Sequence, residues 1–333
     1  MNYLITGATG LLGNNVLRLL LKEENSVTVT VRAGGDPRPM DGLNVEKVEI
    51  DLATDAANGG SQFRSALEGI DMVIHCAGLI QLGWSRLEDS MAVNRDAANS
   101  IAEACRLHKV RMIHVSSVDA LAASVDGTPV NEDQVDPPKV ETSYVRSKRA
   151  GDVAIWEQIA KGLDGTIVHP GLMFGPWDWK PSSGEMMLAI ARQFIPFAPN
   201  GGVSVCDVRD VSAGMVSLTE NWRSGESYIL AGINTTYLEL WHDIAKLLNR
   251  KPPLAKLPGW LGVVVGGVSD FTSRFTKAES QSNSGAIKSG SILNWYDSSK
   301  AERDLGYKIG PIDVALKDLY DWFLAYDYLK SKR

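Results

Sequence analysis

Short apolar runs alternate with helical patterns through the first half of the chain. The apolar runs predict strands at residues 3–6, 27–31, 45–50, 72–75, 110–115 and 166–168. Between them, apolar residues recur at helical spacing near residues 11–22, 61–68, 87–107 and 144–161. This regular alternation of strand and helix predicts an α/β fold with a doubly wound parallel sheet.

The second half of the chain differs from the first in its residue composition and in the order of its predicted elements. Trp, Pro and Gly are concentrated in residues 170–202. The elements predicted beyond them are a strand at Val203–Val208, a helix near 210–220, a short strand at Tyr228–Leu230, and helices at 236–249 and 312–326. The polar, Ser- and Gly-rich segment Lys277–Ser291 predicts a surface loop.

Composition and charge narrow the range of functions. The 333 residues carry a net charge of −6, which argues against a nucleic-acid partner because such a partner requires a basic face. The spacing of the three cysteines is not that of metal ligands; they are Cys76, Cys105 and Cys206. We expect them to be reduced thiols in a cytoplasmic protein. We also expect no signal peptide. Trp260–Val268 is too short and glycine-rich to span a bilayer. We interpret it as a buried helix or a lid helix, with a membrane-surface contact as the alternative.

A glycine-rich turn stands between the first predicted strand and the first predicted helix. Gly7, Gly10 and Gly13 follow the apolar run Tyr3–Ile5 in the spacing G-x-x-G-x-x-G. A strand, a glycine-rich turn and a helix in this order present backbone N–H groups and a helix N-terminus to a pyrophosphate. The motif therefore predicts a dinucleotide-binding site.

Several motifs together resemble the extended short-chain dehydrogenase/reductases. Thr6–Gly13 is similar to the cofactor loop of that family, and Tyr144–Lys148 matches its Y-x-x-x-K signature. The pair Ser116–Ser117 lies at the distance upstream where the family places its catalytic serine. His169–Gly171 and Leu305–Tyr307 are also in register with the family. Within it, the chain is similar to the dihydroflavonol-reductase-like and hopanoid-associated epimerase-like branch.

The resemblance spans essentially the whole chain. Together with the change in residue composition after residue 170, it predicts two domains. Residues 1–172 and 203–235 are expected to form a Rossmann-type NAD(P)-binding domain. Residues 173–202 and 236–333 are expected to form a smaller, discontinuous substrate-binding domain. The expected partner is a small-molecule substrate, and the chain is expected to be a monomer or a homodimer.

The end of the second predicted strand indicates which cofactor is bound. An Asp or Glu there accepts hydrogen bonds from the adenosine ribose and repels a 2′-phosphate. This chain instead has Arg32, with no carboxylate before Asp36, and a guanidinium can bind a phosphate in bidentate fashion. We therefore expect NADP, with NAD as the alternative and Arg38 as a second candidate for the phosphate.

The resemblance implies the remaining cofactor contacts. Asp51 stands where these reductases hydrogen-bond the adenine amino group, although an Asp at a strand end also caps the following turn. The small residues Ala77 and Gly78 allow close approach to the cofactor, Pro170 is expected against the nicotinamide, and Asn94 is expected to be a structural polar residue near the site. The predicted cofactor-binding residues are Gly7, Thr9, Gly10, Leu11, Leu12, Arg32, Asp51, Leu52, Ala77, Gly78, Tyr144, Lys148 and Pro170.

The predicted catalytic residues are Ser117, Tyr144 and Lys148. Tyr144 and Lys148 are four apart on a predicted helix, so their side chains share a face. A nearby ammonium favours the phenolate, so we expect Lys148 to lower the pKa of Tyr144 toward neutral pH. Ser117 ends a predicted strand, where its hydroxyl can meet a substrate carbonyl, and is therefore favoured over Ser116. The histidines show no zinc-ligand spacing, so no metal is expected, and His169 is interpreted as structural.

The segments expected to cover the pocket are aromatic and apolar. The predicted substrate-binding residues are Trp84, Ser117, Met173, Phe174 and Trp177. Nucleotide-sugar epimerases and dehydratases of the family that the chain resembles usually carry a Tyr-Gly pair after the catalytic serine and an arginine that opens the strand placed here at 203–208, and this chain has neither. The missing arginine counts against a nucleotide sugar because a buried diphosphate needs cationic partners. A site of this kind suits a flat or lipophilic ketone or aldehyde.

The sequence therefore predicts an NADP-dependent reductase of an apolar or aromatic carbonyl compound. The alternatives are a sugar or nucleotide-sugar epimerase/dehydratase and a 3β-hydroxysteroid-type dehydrogenase. A protein of a different class, a sensor that binds NADP without catalysis, could use the same scaffold. The retained Ser, Tyr and Lys argue against the sensor.

Overall fold

The computed structural model describes residues 1–134, 139–263, 266, 267, 269 and 283–330. Its strands, numbered along the chain, are β1 (Asn2–Thr6), β2 (Ser26–Val31), β3 (Glu46–Glu49), β4 (Met72–His75), β5 (Arg111–Val115), β6 (Gly165–Pro170), β7 (Leu172–Phe174), β8 (Phe197–Ala198), β9 (Gly202–Asp207), β10 (Ser227–Leu230), β11 (Ile233–Thr236), β12 (Ala255–Lys256) and β13 (Leu293–Asn294). Its helices are α1 (Leu11–Leu20), α2 (Leu52–Ala57), α3 (Ser61–Ser65), α4 (Leu87–Met91), α5 (Ala98–His108), α6 (Ser143–Ala160), α7 (Glu185–Arg192), α8 (Val208–Glu220), α9 (Tyr237–Leu247), α10 (Ser284–Ser289), α11 (Ser299–Leu305) and α12 (Ile312–Ala325). Shorter helical turns lie at Arg38–Met40, Ala92–Ala97 and Val118–Ala120.

The main sheet of the described residues has seven parallel strands in the order β10-β6-β5-β4-β1-β2-β3. From β3 to β6 this is the order of a Rossmann fold, and β10 extends it by one strand. The chain order reverses between β1 and β4. Ligands of such sheets bind beside the carboxyl ends of the strands at that switch point. The predicted Rossmann-type, doubly wound α/β fold is confirmed.

The two faces of the main sheet bury separate apolar clusters. On one face, Ile5 of β1 packs in a cluster with Val16 of α1. On the other face, its neighbour Leu4 packs in a cluster with Ile101 of α5 and Ile155 of α6. Successive side chains of a strand point to opposite faces, so a continuous apolar run such as β1 requires helices on both sides.

A smaller sheet is built around β9. This strand pairs in parallel with β7 and β13 and antiparallel with β11. Its apolar side chains form a further cluster with α7, α9 and α12, which includes Leu188, Ile244 and Phe323. The expected domain division assigns β9 to the nucleotide-binding domain, whereas its pairing places it in this smaller sheet. The chain then returns to the main sheet, where β10 pairs with β6.

The helix predicted over residues 87–107 is interrupted. It consists of α4, a π-helical turn at Ala92–Ala97 and α5. A Cβ on Gly151 of α6 would lie 2.3 Å from the backbone oxygen of Asn94, so α6 packs directly against the backbone of this turn. Only a glycine at position 151 allows this contact.

Two predictions for the C-terminal half fall partly outside the described residues. Residues 277–282 of the predicted loop Lys277–Ser291 are not described. The remaining part of the prediction is wrong, because helix α10 occupies Ser284–Ser289. Asn283 caps this helix by accepting a hydrogen bond from the backbone N–H of Ala286 at 2.8 Å. In the predicted lid Trp260–Val268, residues 259–263 are helical, and residues 264, 265 and 268 are not described. Among the described residues, no helix combines the length and the apolar character needed to cross a membrane.

The smaller sheet also contacts the turn that follows Ser117. The Tyr296 hydroxyl lies 3.0 Å from the carbonyl oxygen of Val118 and 3.2 Å from that of Ala122. Its backbone forms a bridge with Val130. The C-terminal part of the chain therefore holds the segment that begins at the predicted catalytic serine.

Candidate active site

Two glycines of the turn after β1, Gly7 and Gly13, are packed too tightly for a side chain. Gly7 has a φ of +70°, and a Cβ there would lie 2.5 Å from the backbone nitrogen of Ala77. A Cβ on Gly13 would lie 2.4 Å from the carbonyl oxygen of Gly7. Both contacts are closer than real Cβ atoms come to other atoms. The glycines thus allow the turn to lie directly against the chain that leaves β4.

Helix α1 begins at this turn and presents its N-terminus to the switch point. The N–H of Gly10 donates to the carbonyl oxygen of Gly7 at 3.0 Å, and no side chain caps the helix. Thr9 lies half-buried before it, and Leu11 and Leu12 form the first turn. Backbone N–H groups at such a terminus bind anions. The turn therefore fits the pyrophosphate of a dinucleotide.

Charged residues lie at the ends of β2 and β3. Arg32 directly follows β2 and is exposed. Asp51 accepts a hydrogen bond from the N–H of Thr54 at 2.9 Å and so caps α2, which begins at Leu52. This hydrogen bond is the main reason that the pKa of Asp51 is lowered, and the charge of Arg32 contributes. The capping role for Asp51 is therefore present in the structure.

Arg38 is less available for a phosphate than Arg32. Its guanidinium pairs with Asp36 at 2.6 Å, and it lies 5.3 Å from the centre of the Trp179 ring.

The structure brings Ser117, Tyr144 and Lys148 together at the carboxyl end of β5. Lys148 donates to the carbonyl oxygen of Val115, the last residue of that strand, at 3.0 Å. The Ser117 hydroxyl accepts from the N–H of Asp119 at 3.1 Å and lies close enough to Tyr144 to form a hydrogen bond that lowers its pKa. These side chains are buried and occupy one end of one strand, as a reacting set requires.

The pKa of Tyr144 is raised, which corrects the prediction that Lys148 lowers it. Burial is the main cause, the carboxylate of Asp119 adds to it, and the hydrogen bond with Ser117 acts in the opposite direction. Burial also lowers the pKa of Lys148. The phenolate of a tyrosine with almost no solvent contact lacks the hydration that would stabilise it in water, and here this penalty dominates. Tyr144 is therefore a protonated phenol at neutral pH.

The segment after β4 is held against Lys148 by Asn94. The Asn94 side chain accepts from the N–H of Leu79 at 2.8 Å and donates to the carbonyl oxygen of Leu79 and to the Ser147 hydroxyl, each at 2.9 Å. A Cβ on Gly78 would lie 3.2 Å from the Lys148 ammonium nitrogen. Asn94 thus acts as the structural polar residue that its position predicts.

A buried polar cluster next to Lys148 was not found from the sequence. His75, His114 and His169 lie at or near the carboxyl ends of β4, β5 and β6, and Asp152 of α6 faces them. The available signal was the recurrence of histidine in strands that become neighbours. None of the described residues form a group that could hold a metal ion.

The predicted substrate-binding residues do not share one environment. Trp84 is partly exposed, and its indole N–H donates to the Ser284 hydroxyl of α10 at 2.9 Å. Met173 is half-buried in β7, four residues after His169. Phe174 is fully buried in the cluster of the smaller sheet, which favours a packing role.

Trp177 packs in a cluster of aromatic rings. The Arg18 guanidinium lies 3.4 Å from the centre of its ring, and its aromatic neighbours are Trp179, Trp322 and Tyr326. Trp177 adopts a positive φ of 71°, a conformation that the surrounding rings hold in place. Pro170, expected against the nicotinamide, is buried at the carboxyl end of β6.

This combination of fold and site defines a dinucleotide-binding oxidoreductase with a Tyr–Lys pair at its centre. The model of the NAD dependent epimerase/dehydratase family matches residues 3–231. The chain belongs to this family of extended short-chain dehydrogenase/reductases, and it is an NAD(P)-dependent enzyme.

Relatives of known name match over nearly the whole chain. A "Putative dihydroflavonol 4-reductase" from Synechocystis sp. is 28% identical over 99% of this chain and 96% of its own. The "Sterol demethylase protein B" of Methylococcus capsulatus is 28% identical over 97% of this chain and 98% of its own. The crystal structure of gox2253 superposes with a TM-score of 0.84 at 30% identity, covering 98% of this chain and 99% of that one.

Proposed function

We propose that the protein is an NADP-dependent reductase of an apolar or aromatic carbonyl compound. The observation that carries this proposal is the assembly of Ser117, Tyr144 and Lys148 at the carboxyl end of β5, beside the glycine turn that fits a pyrophosphate. The proposal assigns a role to each of the three side chains.

The glycine turn and Arg32 would hold a reduced nicotinamide dinucleotide, which would supply the hydride for a carbonyl carbon. Tyr144 donates its phenolic proton to the carbonyl oxygen, and Ser117 donates a hydrogen bond to the same oxygen. Burial raises the pKa of Tyr144, so the phenol carries this proton at neutral pH, as a general acid must. Lys148 stabilises the phenolate that remains after the transfer, because its ammonium is buried on the same face of α6.

Arg32 supports NADP as the cofactor. Its guanidinium is exposed directly after β2, where the adenosine ribose binds in Rossmann folds. Arg38 is already paired with Asp36. Arg32 is therefore the residue we assign to the 2′-phosphate.

The charges around β9 support an apolar substrate over a nucleotide sugar. Arg209, the first arginine after this strand, pairs with Asp207 at 2.5 Å and with Asp318 at 2.6 Å. Two carboxylates already balance its charge, so it is poorly suited to bind a diphosphate. Exposed apolar side chains, including Leu82 and Trp84, lie in the segment that leads from β4 to α4. The names of the relatives, a dihydroflavonol reductase and a sterol demethylase protein, agree with a flat, lipophilic substrate.

The experiment is a substrate panel read by nicotinamide absorbance. Aromatic ketones, aldehydes, sterols and nucleotide sugars are each tested with NADPH and with NADH. We expect oxidation of NADPH with an apolar carbonyl compound. Turnover of a nucleotide sugar would favour the epimerase, oxidation of a sterol alcohol would favour the steroid-type dehydrogenase, and NADPH binding without any turnover would favour the sensor.

Tyr144→Phe tests the assigned acid on the substrate so identified. We expect NADPH binding to stay within about twofold and turnover to fall by at least about 100-fold, the usual contribution of general acid catalysis. Tyr3→Phe is the matched control, because it removes a buried hydroxyl that hydrogen-bonds Thr219 at 3.3 Å, remote from the catalytic set. A Tyr144→Phe enzyme that keeps most of its rate contradicts the assignment.

A further inference from the structure

Three histidines and one aspartate form a buried cluster beneath Lys148. His75 and His114 are 1% exposed, His169 is 2% exposed and Asp152 is 9% exposed. His75 and His114 are paired in register on β4 and β5, and their rings stack with centroids 5.4 Å apart. The reaction assigned to Ser117, Tyr144 and Lys148 uses none of these four side chains.

Asp152 connects this cluster to Lys148. One carboxylate oxygen lies 3.1 Å from Nε2 of His169, and the other lies 3.8 Å from Nε2 of His114. Asp152 follows Lys148 by four residues on α6, so the two side chains occupy the same face of the helix one turn apart. The series Tyr144, Lys148 and Asp152 therefore runs along one face from the reacting phenol to the histidines.

The other titratable groups that face Lys148 are neutral at neutral pH. Burial lowers the pKa of His75 to about 3 and brings that of His114 well below its usual value. Burial raises the pKa of the Cys76 thiol to about 12, and that of Tyr144 is raised as well. These groups approach from β4, β5 and α6 and leave Asp152, which lies 3.1 Å from His169, as the acidic side chain one helical turn from Lys148.

An ammonium in such surroundings needs a counter-charge. Burial lowers the pKa of Lys148, and the carboxylate of Asp152 is the leading influence that raises it. A buried ammonium that loses a nearby carboxylate is left with less compensation for its charge, which favours its neutral form. In the proposed reaction, the charge on Lys148 stabilises the phenolate that Tyr144 becomes after it gives up its proton.

We propose that Asp152 is a positioning residue for this reaction: its carboxylate, held by His169, keeps Lys148 an ammonium directed at the Val115 carbonyl. The proposal rests on the proposed function, since it concerns the same Tyr144 and Lys148. Asp152 itself touches neither substrate nor cofactor.

Asp152→Asn tests the charge while keeping the shape and a polar partner for His169. We expect the basic limb of the plot of kcat/KM against pH to move to lower pH by about one unit or more. At a given pH on that limb, kcat/KM should therefore fall by about tenfold. Asp152→Glu, which keeps the carboxylate, should restore the profile. Asp55→Asn is the matched control, because it removes a buried carboxylate that binds the N–H groups of Gln62 and Phe63, each at 3.0 Å. It should lower stability and leave the pH profile unchanged.

A second measurement needs no substrate. Lysine labelled with ¹³C at the ε-carbon, with the Lys148 signal assigned by its loss in Lys148→Met, reports the charge of this side chain by NMR. We expect the wild-type Lys148 signal to be that of an ammonium at about pH 8. In Asp152→Asn it should titrate about one pH unit or more lower.

The results separate the two proposals. An Asp152→Asn profile that superposes on the wild type, or a wild-type Lys148 signal already neutral at about pH 7, overturns the role of Asp152. If Asp152→Asn does not fold, Asp152→Ser, which also removes the carboxylate, is measured in its place. If the wild-type protein reduces no carbonyl compound, the proposed function fails, whereas the NMR titration still tests the charge relation.

Discussion

Replacing Gly7 by alanine tests the packing of the glycine turn. At this position a methyl group meets two separate penalties. The first is backbone strain, because the φ of +70° is one that side chains rarely adopt. The second is a clash with the backbone of Ala77, whose nitrogen would lie 2.5 Å and whose Cα 2.7 Å from the new Cβ. Backbone atoms cannot rotate away, so β1 and the chain after β4 must separate.

The two penalties add to a measurable loss. Left-handed backbone costs a non-glycine residue about 1–2 kcal/mol, and overpacking of a tight site costs about 1–3 kcal/mol. We therefore expect Gly7→Ala to lower the free energy of unfolding by about 2–5 kcal/mol. Native domains have only about 5–15 kcal/mol in total, so this is a large fraction of the stability.

Two matched variants separate the penalties. Gly42→Ala has a φ of +72° with no atom within 4 Å, so it should show the strain alone, about 1–2 kcal/mol. Gly10→Ala has a φ of −86° and a nearest contact of 3.4 Å, so its unfolding free energy should change by less than about 1 kcal/mol.

The assay is urea unfolding of the three variants, with NADPH binding measured by fluorescence. Gly7→Ala should be less stable than Gly42→Ala by about 1–3 kcal/mol. Gly7→Ala should also weaken NADPH binding, because its Cβ displaces the turn assigned to the pyrophosphate, whereas Gly42→Ala should not. Equal losses in these two variants would show that the contact with Ala77 does not constrain the turn, and would refute the reasoning.

Two further predictions concern the cofactor and acid stability. Arg32→Ala should raise the Kd for NADPH by at least about tenfold and leave that for NADH within about twofold, since a hydrogen bond to a charged group contributes about 1.5–3 kcal/mol. Equal losses for both cofactors in a fluorescence titration would contradict the assignment. The folded pKa of His75 is about 3, below its unfolded value of 6.5, so the folded state binds fewer protons between these values and stability falls with falling pH. His75→Asn, which keeps a hydrogen-bonding partner for Thr6, should reduce this slope by up to about 1.4 kcal/mol per pH unit in urea unfolding, and an unchanged slope would show that His75 is not buried as a neutral ring.

Local patterns were sufficient to predict most of the main sheet. The run at residues 3–6 corresponds to Asn2–Thr6, and the run at 72–75 to Met72–His75, because buried parallel strands are continuously apolar. The glycine spacing was equally local, since a tight turn and its glycines are contiguous in sequence. The position of Tyr144 and Lys148 on one helix face followed from the helical period.

Features that depend on distant contacts were not predictable in the same way. The pattern at 203–208 predicted a strand but not that it would pair with β7, β11 and β13. The π-helical turn at Asn94 depends on the approach of Gly151, which helical periodicity does not reveal. The raised pKa of Tyr144 follows from burial, which a spacing of four residues to Lys148 does not report. Trp177 contacts Arg18 of α1 and Trp322 of α12, and these distant partners were equally beyond a local pattern.

The contact of Tyr296 with the carbonyl oxygens of Val118 and Ala122 limits how this enzyme can be re-engineered. Segments that cover a pocket are the usual choice for exchange between homologues when a new specificity is sought. Here the C-terminal segment also supports the turn that starts at Ser117, so an exchange would alter reactivity together with selectivity. A chimaera that keeps its rate must bring a phenol, or an equivalent donor, to the position of Tyr296.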